Sequence, residues 1–106
     1  MWYLSVSTAK KVVPFYFCVD VGVYTGVSAT SYEDFLTSIK QVEARSLNFH
    51  LNRGDFERWT LDILKDEELA REIGKLKSQK LSGSVLRSRL ERIVANRREE
   101  AISKTR

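Results

Sequence analysis

The chain contains one cysteine, one proline, one histidine and one methionine among its 106 residues, and each scarcity narrows what it can be. A lone Cys18 excludes an internal disulfide framework and suits a reducing compartment, so the cytoplasm is the expected location. One histidine and one cysteine, distant in sequence, make no zinc motif. The acidic groups Glu33-Asp34 and Asp66-Glu67-Glu68 fall where helices start, and capping accounts for them better than a magnesium site does. Neither a metal nor a cofactor is expected. Long apolar runs are absent too. Pro14 and Asp20 interrupt residues 12–29, and nothing approaches the ~20 apolar residues of a membrane span. The N-terminus lacks the charged start, apolar stretch and cleavage site of a signal peptide. Gly22 through Gly26 lacks the Gly-Lys-Ser/Thr ending of a phosphate-binding loop. The expectation is a soluble protein inside the cell, with no membrane partner.

What the chain does have is charge and apolar periodicity. At 42% hydrophobic and 30% charged residues it reads as one globular domain with a modest core. The net charge of +4 conceals an asymmetry. Residues 1–70 carry 7 basic against 10 acidic side chains, and residues 71–106 carry 11 against 4. A basic C-terminal third bears on partners, not on fold. Most such charge forms a solvated helix face.

Residues 1–13 read as a loose arm that either adds an edge strand or stays flexible, residues 14–102 as the globular domain, and residues 103–106 as a fraying tail. Phe15 to Val19 and Val23 to Val27 are short runs of strand formers around an Asp20-Val21-Gly22 turn, which predicts a hairpin. Alternation buries Phe15 and Phe17 and leaves Tyr16 outside. Thr30 with Glu33 forms a capping box opening a helix whose stripe is Phe35, Ile39 and Val42. Residues 46–51 fit a strand or a helix capped by Ser46, and lean to helix. Asp55 opens the next helix, with Phe56, Trp59 and Ile63 on one face. Asp66 caps another, carrying Leu69, Ile73 and Leu76, an i,i+4 pair from Glu67 to Arg71, and Gly74 as either a close contact or an idle cost. A last helix spans about 85–101, with Leu86, Leu90, Ile93 and Val94 on one side. With Leu47, these stripes, apart from Val94, make the expected core. The fold class is α+β and mostly helical, an N-terminal β-hairpin packed against four or five helices.

Several residues appear in an order shared with known sequences: Pro14-Phe15-Tyr16-Phe17, Tyr24-Thr25-Gly26, Ser31 through Phe35, and Phe49-His50 with Arg53-Gly54-Asp55-Phe56-Glu57 and Trp59. Asp66, Glu68-Leu69-Ala70, Ile73, Gly83 and Leu86-Arg87 complete it. In these the chain resembles a small prokaryotic, mainly archaeal, domain family of unknown function. The resemblance spans about residues 14–95 and leaves the arm outside. It implies a free-standing or accessory domain with no recorded active site, so no functional residue comes with it.

His50 is the natural catalytic candidate because its unperturbed pKa lies near neutrality. On a continuous helix, however, Asp55 and Glu57 lie beyond its neighbouring turn, and no nucleophile is placed locally. A hydrogen-bonded histidine at the core edge is the better reading, so no catalytic residue is assigned. Arg53-Gly54-Asp55 spells a cell-adhesion tripeptide, but that role requires export. Gly54 instead permits a turn into a helix capped by Asp55. Arg53 and Arg58 either clamp an anion or pair with Glu57 or Asp62. The expected function is a non-enzymatic accessory or protein-interaction module, contacting its partner through Arg53, Arg58, Arg87, Arg89, Arg92 and Arg98. Self-association of an acidic body with a basic end fits this. Nucleic-acid binding through the basic last helix is the alternative, although residues 77–84 are too long for the turn of a helix-turn-helix. A small enzyme centred on His50 is the least favoured.

Overall fold

A computed structural model describes residues 12–104. The expected arm therefore falls outside the described residues except for Val12 and Val13, and the last two residues of the expected tail fall outside as well. Strands β1 (Phe15–Asp20) and β2 (Val23–Ala29) form a two-stranded antiparallel sheet. Helices α1 (Tyr32–Gln41), α2 (Ala44–Arg53), α3 (Asp55–Asp62), α4 (Glu67–Gln79) and α5 (Gly83–Lys104) follow. The hairpin turns at Val21-Gly22, where Gly22 takes a φ of +74° that a side chain would strain. The ladder pairs Phe15 with Ala29 and Phe17 with Val27, then slips at Phe17/Cys18.

The inner face of the hairpin lies on α1 and α2, and α5 packs against α1, α2 and α4. Phe15, Phe17, Phe35 and Phe56 are buried together with Trp59 and the ring of His50, with Phe15 and Phe56 stacked at 5.1 Å between centroids. Aliphatic residues from α4 and α5, including Leu69, Ile73, Leu86, Leu90 and Val94, close the other side. Ile63 and Ile93 are only partly buried, so those two expected core positions sit at its margin, while Phe15, Phe17, Ala29, Leu51 and Val94 join the core.

Local capping differs from expectation at three places. Ser31, not Thr30, caps α1: its hydroxyl accepts the Asp34 N–H, and the Asp34 carboxylate reaches back to the Thr30 hydroxyl at 2.8 Å. The reciprocal acidic partner is thus Asp34, one residue past Glu33. Ser46 does not cap α2, which begins at Ala44; it is buried within the first turn and donates to the Cys18 carbonyl at 2.8 Å. Asp55 lies inside α3 rather than capping it, because Gly54 in the left-handed region (φ +79°) both ends α2 and starts α3. Asp66 caps α4 as expected, accepting from the Leu69 N–H at 2.9 Å. Arg71 pairs with Glu68 instead of Glu67. Gly74 is a close contact: a Cβ there would lie 2.6 Å from the Glu57 carboxylate. The last helix runs further at both ends than expected, from Gly83 to Lys104.

Candidate functional site

The turn at Gly54 sets up the most organised polar cluster. A continuous helix would carry Asp55 away from His50. The left-handed glycine instead folds α3 back against α2, bringing the Asp55 Oδ2 to 2.7 Å from the His50 Nδ1. The other ring nitrogen, Nε2, accepts the backbone N–H of Cys18 at 2.8 Å. An amide N–H only donates, so Nε2 holds a lone pair and the ring proton sits on Nδ1, donated to Asp55. Both nitrogens are engaged in the neutral form. Burial pushes the His50 pKa below its ordinary 6.5, and the hydrogen bond and charge of Asp55 oppose that shift without overcoming it. The thiol of Cys18 is not part of this arrangement; it lies 3.7 Å from the Tyr16 carbonyl.

Asp55 also gathers the two arginines that had Glu57 or Asp62 as expected partners. Arg53 Nε donates to it at 3.0 Å, and Arg58 pairs with its second oxygen. Arg58 further donates to the Arg53 carbonyl at 3.3 Å, while Arg53 lies over the Phe49 ring. Glu57 pairs with Lys77 instead. The two arginines are brought together around an internal carboxylate that already neutralises part of their charge.

A shallow depression of about 370 Å³ lies between β1 and α3. His50 and Trp59 both line it, together with Tyr16, Arg58, Asp62 and Ile63. Neither ring is open to solvent in any quantity, at 4% and 7% exposure. The indole Nε1–H is also taken, by the Val13 carbonyl at 2.7 Å. The imidazole and indole thus offer the depression ring surface rather than hydrogen-bonding groups.

The arginines of α5 are dispersed among separate duties. Arg87 donates to the Ile39 and Val42 carbonyls at 2.6 and 2.7 Å, closing the C-terminus of α1. Arg89 donates to the Gln79 side chain at 3.0 Å, and Arg98 bridges Glu33 and Glu99. Arg92 is exposed and has no ion-pair partner among the described residues. Arg97, which sequence reasoning passed over, joins the Tyr32 hydroxyl on the buried Asp66. Burial works to raise the Asp66 carboxyl, but bonds from Leu69, Tyr32 and Arg97 outweigh it and hold the pKa below its ordinary 3.8. Burial, followed by that same hydrogen bond, raises the Tyr32 phenol.

The hairpin supplies the other conspicuous surface. Tyr16 is exposed as expected, and Tyr24 stands beside it with ring centroids 5.5 Å apart, edge to face. Nine large hydrophobic residues are exposed among those described, and six of them fall between Val12 and Tyr24. Alternation identified Tyr16, but the irregular register that turns Tyr24 to the same side has no simple sequence signal.

Residues 3–95 match the model of a family of unknown function, DUF5752. The chain belongs to that family. The match begins at residue 3, so most of the arm that the resemblance left outside lies within the DUF5752 region. No curated protein and no solved structure matches the chain. Among the described residues no cluster of three potential ligands is arranged to hold a metal ion, and no helix is long and apolar enough to cross a membrane.

Proposed function

We propose that this DUF5752 domain is a non-enzymatic interaction module whose contact face is the outer side of the β-hairpin. The observation that carries the reading is the grouping of exposed apolar side chains there: Val21 is 73% exposed, and Tyr16 and Tyr24 are each about half exposed. Residues 12–29 include one charged residue, Asp20. An exposed apolar patch of this kind on a domain with an otherwise charged surface marks a binding site.

A hydrolytic or proton-transfer role for His50 is the weaker reading. A general base needs a free lone pair within reach of a substrate proton. The lone pair of His50 is occupied by the Cys18 amide. The arginine surface drawn from sequence has less free charge to offer, because Arg53, Arg58, Arg87 and Arg98 serve contacts within the chain. Arg89 and Arg92 remain as support for the nucleic-acid alternative, and a mobility shift at low salt tests it. The single free Cys18 supports placement in the cytoplasm, and the shared motif order from Pro14 to Arg87 supports a prokaryotic, mainly archaeal, setting.

The test compares affinity capture from the source-cell lysate by the parent chain and by Tyr16→Ser/Tyr24→Ser. Proteins retained by the parent and lost by the variant support the module. An identical retained set rejects the hairpin face, and His50-dependent turnover of any substrate rejects the non-enzymatic reading.

A further inference from the structure

We infer that the hairpin face packs against the same face of a second copy of this chain, across a twofold axis. This rests on the hairpin being a contact surface and goes on to name its partner. Three observations lead there.

The first is how the two sheet edges end. On β1, the N–H and carbonyl of Cys18 are already bonded by His50 and Ser46 from α2. Pro14, just before the strand, has no N–H to give. On β2, Ser38 donates to the Ser28 carbonyl at 3.4 Å. These contacts occupy part of each edge and interrupt it for an incoming strand, so the face is the more open route.

The second is area. Tyr16 and Tyr24, each about half exposed with ring centroids 5.5 Å apart, form a small apolar patch on the hairpin, and Val21 at the turn is 73% exposed. Two such patches together fall below the roughly 1,200 Å² at the lower end of specific interfaces, so the contact is a weak self-association. Tyrosine is also a side chain on which binding energy concentrates.

The third is charge. A twofold axis sets each residue near copies of its neighbours, which penalises a charged face and favours an uncharged one. The hairpin carries only one charge, Asp20, whose Oδ1 accepts the Val21 N–H at 2.7 Å. The competing assembly, acidic body on basic helix, loses Arg87 and Arg98 to bonds within the chain.

Sedimentation equilibrium of the full chain from micromolar to millimolar concentration, at low and at molar salt, tests the inference. The expected result is a monomer–dimer equilibrium that salt leaves unweakened. Tyr16→Ser/Tyr24→Ser is expected to raise the dissociation constant roughly tenfold or more, as loss of central anchors does. Val21→Lys, at an exposed turn position where the monomer is undisturbed, is expected to do the same by placing a charge in an apolar contact. A strict monomer, a dimer dissolved by salt, or a dimer indifferent to both variants overturns the inference. If the chain is monomeric yet captures a lysate protein in a Tyr16/Tyr24-dependent way, only the second copy is lost and the interaction module stands.

Discussion

The hairpin and the helical layer use their side chains in opposite ways. The helices carry nearly all the charge, and much of it is spent inside the molecule: Arg87 closes a helix end, Arg97 holds Asp66, and Arg98 spans to Glu33. The hairpin has almost no charge and, while burying Phe15 and Phe17, leaves Tyr16, Val21, Val23 and Tyr24 in solvent. A count of arginines therefore says little about how much charge is free for a partner. Charge that satisfies carbonyls and carboxylates of its own fold has less to offer a partner than unpaired charge, whereas exposed tyrosine and valine have no such internal use.

The strongest way to break this contrast is at the junction between the two regions. Trp59 joins them, packing on Phe15 and donating to the Val13 carbonyl. Trp59→Ala is expected to cost about 3–5 kcal/mol, enough to unfold many small domains. Thermal or urea denaturation measures it, and an unchanged melting curve would show that the hairpin is held by something else.

The next test separates structural arginines from free ones. Arg87→Ala orphans two carbonyls at the end of α1 and should cost about 1–3 kcal/mol. Arg92→Ala should stay within about 0.5 kcal/mol, as surface changes do. Equal losses in urea titrations of the two variants would erase the distinction drawn between internal and available charge.

Acid sharpens the picture further. His50 and Asp66 both have folded pKa values below their ordinary ones, so the unfolded chain binds more protons in each window. The sign follows: each contribution is complete above the ordinary value and is lost as pH falls through the lower folded one. Stability should therefore decline first below about pH 6.5 as His50 charges and leaves the Cys18 amide, then again below about pH 3.8 as Asp66 protonates. In His50→Gln the first decline should vanish and the second remain. A first step that survives in that variant assigns it to another group. The smallest effect is expected at Gly74→Ala, where roughly 1 kcal/mol of helix propensity is offset by displacing the flexible end of Glu57. A loss well above that in denaturant titration would show the Glu57 contact to be rigid.

Much of the fold was legible because it depends on spacing. Period-two alternation located Phe15 and Phe17, and period-3.6 stripes located Phe35 and Ile39, then Leu69 and Ile73, then Leu86 and Leu90. The site was less legible. Separation along a helix placed Asp55 out of reach of His50, and that inference failed because Gly54 breaks the helix between them. Ser46 looked like a cap because a serine before an apolar run usually is one; its actual partner, Cys18, lies 28 residues away.

The sequence alone determined the class of the fold, its core stripes and the α4 cap at Asp66, since these follow from local periodicity and from hydrogen bonds within a few residues. Only the tertiary structure decided which arginines are spent, how His50 is locked and which tyrosines stand together. Those outcomes depend on atoms far apart in the chain meeting within hydrogen-bond or van der Waals distance, and no local pattern encodes such a meeting.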